Sequence, residues 1–170
     1  MKISENLLLI PLTLNHAPDI LCLVEANRGY LQQYLYWVEG VVDLASCERY
    51  IDERVNSGLA HAQWFGIEVN EELVGVFAVK SINQHKVAEV GYWLAQSAAG
   101  QGVMSRVIAS VVAKLSADSV ATTLEFGCLE QNTPSIAVAL KAGATLSHQI
   151  NNYIELDGVL QTLKVYRKQL

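Results

Sequence analysis

The stretch "YWLAQSAAGQGVMSRVI" places two glycines, Gly100 and Gly102, where an apolar run hands over to a helical pattern. A helix N-terminus carries backbone N–H groups that have no intrahelical acceptor, together with the positive end of the macrodipole. Glycine lets a chain approach a ligand closely and take up positive φ. The combination makes an anion site without any basic side chain. Here the N–H groups of Gln101, Gly102, Val103, Met104 and Ser105 can converge on a pyrophosphate. An ordinary turn would use the same glycines for geometry alone. Two nucleotide motifs are excluded. No G-x-x-x-x-G-K-[ST] is present, and G-x-G-x-x-G fails because Ser105 stands where its third glycine should be.

The surrounding elements must present that corner. "NLLLIPL" reads as a first strand, and "NHAPDILCLVEANR" as a helix with apolar residues on one face. "YLQQYLYW" continues it helically to about Trp37. "DLASCERYIDERVNSG" is a second helix, capped by Asp43 and stopped by Gly58. "AQWFGIEVN" and "ELVGVFAVKSI" form a hairpin, and "VAEVGYWLA" is a third strand. Val103, Met104, Val107, Ile108, Val111, Val112 and Leu115 share one helical face. "ATTLEFGCLE" is a strand and "NTPSIAVALKAG" a helix with Asn132 or Thr133 as cap, Pro134 in its first turn and Gly143 at its end. A closing hairpin turns at Asp157–Gly158. The pattern predicts a mixed α/β (α+β) fold: a mostly antiparallel sheet of about seven strands, one parallel crossover, and helices on both faces.

No linker, repeat or low-complexity tract divides the 170 residues, so the expectation is one domain spanning 1–170. No apolar run is long enough for a transmembrane helix, and the N-terminus lacks a secretory signal pattern. Three scattered cysteines with no Cys/His ligand spacing argue against a metal site and fit a reduced, cytoplasmic setting. The net charge of −5, with thinly spread Lys and Arg, argues against nucleic acid and anionic membranes as partners and is compatible with a cationic amine.

Taken together, "YLQQYLYW", "VGYWLAQSAAGQGVMSRVI" and "CLEQNTPSIAVALKAGATL" resemble, in order and over nearly the whole chain, the GNAT superfamily of N-acetyltransferases. The resemblance is narrower still to its ribosomal-protein-serine (alanine) group. It implies acetyl-CoA as co-substrate, no metal, and a protein N-terminal α-amine or a small amine as acceptor. It implies that the strand carrying Tyr92, Trp93 and Leu94 splays from the strand carrying Phe126 and Cys128. Trp93 and Leu94 would then meet the pantetheine arm, with the Leu94 N–H facing the developing oxyanion. Gly100, Gln101, Gly102, Val103, Met104 and Ser105 would hold the pyrophosphate. Asn132 would bond a pantetheine amide, or cap its helix. Ser135 would protonate the leaving thiolate, or satisfy helix N–H groups. Glu89 would be the base, directly or through water, and Tyr34, Trp37 and Tyr92 would wall the acceptor site. The loop departs from the family's Q/R-x-x-G-x-G/A in having Ala99 at its first place and Met104 at its last. The C-terminal segment lacks an acidic residue common in the group. A catalytically weak CoA-binding module is the alternative, and a homodimer formed through the last hairpin is a further expectation.

Overall fold

A computed structural model describes every residue from Met1 to Leu170. Its strands are β1 (Lys2–Ser4), β2 (Leu7–Pro11), β3 (Gln63–Val69), β4 (Glu72–Ile82), β5 (Val87–Leu94), β6 (Thr123–Leu129), β7 (Thr145–Leu156) and β8 (Val159–Gln169). Its α-helices are α1 (Ala17–Leu31), α2 (Leu44–Val55), α3 (Val103–Asp118) and α4 (Thr133–Lys141). The eight strands form one sheet in the order β1-β2-β3-β4-β5-β6-β8-β7. Every neighbouring pair is antiparallel except β5–β6, which α3 connects in parallel. The strand beyond the expected seven is β1, whose three residues carry no period that a sequence reading could detect.

Alternation along the strands feeds two cores. Phe77 and Phe126 pack with Val107 and Ile108 of α3 on one face of the sheet. Val76 and Trp93 pack with Ile20 and Val24 of α1 and Ile51 of α2 on the other. Neighbouring residues Val76 and Phe77 thus enter opposite cores, as a period of two requires. Phe77 and Phe126 are almost fully buried, worth about 1.5–3 kcal/mol each by area.

Local chemistry sets the helix ends. Asp43 Oδ1 accepts from Ser46 N at 2.8 Å while Asp43 N donates to Ser46 Oγ at 3.0 Å, a reciprocal cap that starts α2. The first helix does not run to Trp37 as its pattern suggests: α1 stops at Leu31, and a short 3₁₀ turn covers Tyr36–Gly40. Arg28 supplies a reason. Its Nη1 and Nη2 donate to the carbonyls of Val38 and Val41, both at 2.6 Å, and tie the returning chain back onto α1. A continuing helix would hold those carbonyls out of reach. The break turns Tyr34, Leu35 and Trp37 toward the sheet.

Candidate active site

The parallel pairing of β5 with β6 ends at Val90↔Phe126. Beyond it β5 stays with β4 as far as Gly75↔Leu94, and β6 stays with β8 as far as Leu129↔Leu163. The sheet therefore opens between Gly91–Leu94 and Gly127–Leu129. Ala95 N donates to Val74 O at 2.8 Å, so the backbone groups of Ala95 face β4. Alternation then aims those of Tyr92 and Leu94 at the gap. Gly75 keeps β4 close to this end: a Cβ there would lie 2.2 Å from the Trp93 carbonyl oxygen.

Immediately after β5 the chain reaches the glycine corner. Gly100 and Gly102 both have φ +74°, in the left-handed region. The first backbone bond of α3 runs from Arg106 N to Gly102 O. No N–H from Gly100 through Ser105 has an acceptor within the chain. Ala99, Gly100, Gly102, Val103, Met104 and Ser105 line a cleft of about 330 Å³ that continues to Tyr92, Leu94, Asn132 and Ser135. Gln101 does not line it; its Nε2 turns back to donate to Ser97 O at 2.5 Å.

At the gap, Tyr92 Oη lies 3.0 Å from Ser135 Oγ, and Cys128 Sγ lies 3.3 Å from the same oxygen. Asn132 Oδ1 accepts from Ser135 N at 3.1 Å, so it caps α4 and holds Ser135 in place. Burial raises the Tyr92 hydroxyl well above the ordinary tyrosine value despite its bond to Ser135. Burial also raises the Cys128 thiol.

A second cleft of about 240 Å³ lies on the α1/α2 side and meets the first at Tyr34, Leu35, Tyr92, Trp93, Asn132 and Ser135. Trp37 and Glu89 line only this second cleft, along with Arg54, Lys80 and Tyr153. Glu89 forms an ion pair with Lys80, whose stem crosses the space left by Gly91. The Trp37 ring lies tilted against Tyr50 (centroids 4.3 Å apart, planes at 34°), and Trp93 Nε1 donates to Tyr50 Oη at 3.1 Å. The structure thus brings Tyr34, Tyr92, Trp93, Asn132 and Ser135 to one junction, with Leu94 beside it in the first cleft alone. It sets the glycine corner at one end and Glu89, with Trp37, at the other.

Sequence reasoning missed Gly75, Tyr50, Arg54 and Lys80. A lone glycine inside the strand "ELVGVFAV" is a signal of close backbone approach. The four-residue spacing of Tyr50 and Arg54 on α2 puts them on one helical face. No local signal ties either of them to the cleft.

A sheet that opens beside a helix start with unused amides suits a phosphate-bearing carrier with an amide-bearing arm, the arrangement expected of a coenzyme A-dependent acyltransferase. The chain belongs to the acetyltransferase (GNAT) domain family, whose model matches residues 6–145. It is similar to the ribosomal-protein-serine acetyltransferase of Escherichia coli (strain K12), at 27% identity over 99% of this chain and 95% of that protein. Among solved structures it resembles a ribosomal α-N-protein acetyltransferase in complex with coenzyme A, held there as a disulfide to a cysteine. That match has TM-score 0.92 and 25% identity, over 99% of this chain and 97% of the other. A microcin self-immunity acetyltransferase in complex with acetyl-CoA and AMP shares the fold, with TM-score 0.91 and 22% identity over 100% and 96% of the two chains. The protein is an N-acetyltransferase that uses acetyl-CoA. The residues present suit that donor. Six consecutive free amides match a pyrophosphate, and the unpaired edge of β5 matches an amide-bearing arm.

Proposed function

We propose that this chain acetylates the α-amine of a protein N-terminus, of the ribosomal-protein kind, in the cytoplasm. Acetyl-CoA supplies an activated thioester. The chain must supply a grip, an orientation, a home for charge and routes for protons. The amides of Gly100–Ser105 grip the pyrophosphate; Gln101 contributes through its N–H alone. The Leu94 N–H faces carbonyl charge in the gap. Tyr92 and Ser135 donate to the sulfur side, and Asn132 holds Ser135 in position. Glu89, held by Lys80, lies five residues before Leu94, about 17 Å along an extended strand. That span exceeds one water, so Glu89 would take the amine's proton only at the end of a chain of waters along the second cleft. Tyr34, Trp37 and the Trp93 edge wall the acceptor's approach. Support for a protein N-terminus comes from the ribosomal-protein relative and from the second cleft, which continues the junction toward the β7–β8 hairpin. We further propose that β7 pairs with a second copy.

The carrying observation is the run of free amides opening on a cleft that ends at the Tyr92–Ser135 junction. Saturating acetyl-CoA at 100 times its dissociation constant stabilises the fold by about 2.7 kcal/mol, or about 5–10 °C in Tm for a chain of this size. Thiol release should follow on adding peptides with a free N-terminal serine or alanine, and should vanish when that amine is blocked. Absence of the Tm shift would remove the donor site. A shift without peptide turnover would leave a CoA-binding module and overturn the acceptor reading.

A further inference from the structure

Arg54 is a cation without an anion. Its guanidinium carbon lies 3.7 Å from the Tyr50 ring centroid, 5.6 Å from that of Trp64 and 5.7 Å from that of Trp37. Nη1 donates to Tyr50 O at 2.8 Å. The ion pairs of the chain are Lys80–Glu89, Lys114–Asp118 and Arg167–Glu125, and Arg54 belongs to none of them. Arg28 provides the internal contrast: as a structural clamp it commits both terminal nitrogens to carbonyls. Arg54 commits its donors only to Tyr50, and no carboxylate of the chain meets its fork. The Trp64 indole N–H, in the same aromatic box, is also buried without an acceptor. A buried donor such as the Trp64 indole N–H normally has a partner, and this one, beside an unpaired cation, has none.

The box lines the second cleft, whose other charged residues, Lys80 and Glu89, neutralise each other. The cleft therefore carries a net charge of about +1 in a chain whose total is −5. That charge disfavours a polycationic acceptor. A guanidinium held over the Tyr50 ring and by its bond to Tyr50 O suits recognition of a carboxylate by its remaining donors.

We propose that Arg54 selects acceptors that carry a carboxylate close to the amine: the amine reaches the Tyr92–Ser135 junction while the carboxylate docks on the Arg54 fork. This rests on the acceptor reading above and names the substrate class within it. An acidic side chain at the second or third position of a peptide and a free dicarboxylic amino acid both offer this chemistry. The size of the cleft and its extension to the β7–β8 hairpin favour the peptide.

The test compares kcat/KM for four acceptors on the purified full chain: serine-initiated peptides with Asp or Glu, with Ala, or with Lys at positions two and three, and free aspartate. The acidic peptides should exceed the Ala peptides by about tenfold or more, mainly through KM, with the Lys peptides lowest. In Arg54→Gln the acidic-to-Ala ratio should fall to about one, in Arg54→Lys it should lie between, and in Arg54→Glu the preference should turn toward Lys. A purely structural role for Arg54 would lower all acceptors together and leave the ratios unchanged, and that result overturns the proposal. Free aspartate matching the acidic peptides would keep the carboxylate but overturn the peptide. Turnover of Ala peptides with no acidic preference would sink this inference alone, whereas no turnover of any peptide would sink the acceptor reading with it.

Discussion

Two hydroxyls and a thiol meet at one point in this molecule, and they are not equivalent. Cys128 is buried and its thiol is raised, so it is a weak nucleophile. Cys47 is buried too, with its thiol pushed up to about 11, and lines neither cleft. Tyr92 is raised by burial as well, and for a proton donor that is an advantage: it stays protonated through neutral and mildly alkaline pH. Bonded to Ser135 at 3.0 Å, it can pass a proton along the pair to a thiolate in the gap. Tyr92→Phe keeps the ring that packs toward α3 and removes only the hydroxyl. It should lower kcat by about tenfold while KM for acetyl-CoA stays within about twofold, a modest loss because a thiolate leaves readily. Ser135→Ala should act similarly, and the double variant should be little worse than either single one, as expected of two groups joined by one hydrogen bond and proposed to serve one proton route. The sign of the Tyr92 shift means that kcat in the parent should show no loss from its ionisation as pH rises past neutrality. Losses that multiply in the double variant would show two independent roles.

At the scale of elements, function lies where one element hands over to the next. Gly102 has open space around the position a Cβ would take, so the left-handed backbone, not crowding, calls for glycine. This separates two effects of substitution. Gly102→Ala should destabilise the fold by about 1–2 kcal/mol through the positive φ, whereas Gly102→Asn, which tolerates that conformation, should cost less. Both place a side chain beside the amides, so both should weaken acetyl-CoA binding in a calorimetric titration. If Gly102→Asn bound as the parent does, the corner would be a turn and nothing more. The corner was legible in the sequence because all its physics is local: two glycines, the start of a helix and a strand before it. The caps at Asp43 and Asn132 and the turn at Asp157–Gly158 were legible for the same reason. The early end of α1 was not, because Arg28 acts on carbonyls ten and thirteen residues away. The opening of the sheet was inferred only by resemblance, since no single strand encodes where it parts from its neighbour. The Arg54 box draws on α2, β3 and the 3₁₀ turn, and no linear spacing joins them.

For the molecule as a whole, the two ends of the sheet differ in a way that bears on assembly. One edge is β1, three residues long, a length that offers little to a partner strand. The other is β7, twelve residues long and exposed without a break from Thr145 to Tyr153. Leu146, Ile150 and Tyr153 on β7 and Val159 and Leu160 on β8 are all exposed. β7 contains neither lysine nor proline, two residues that commonly blunt a free edge. Such an edge favours pairing with a second copy, and the same hairpin contributes Tyr153, Ile154 and Leu163 to the second cleft, the proposed acceptor site. Light scattering at tens of micromolar should therefore give about twice the 18.7 kDa of one chain. Ile150→Lys adds a charge to the edge without touching the acetyl-CoA cleft, and should yield a monomer. That monomer should keep the parent's Tm shift with acetyl-CoA, because the glycine corner lies on the far side of the gap. Its KM for a peptide acceptor should rise, because the hairpin that shapes the acceptor cleft loses its support. A parent protein that is monomeric at that concentration would leave β7 a free edge, and the acceptor cleft would then be the work of one chain alone.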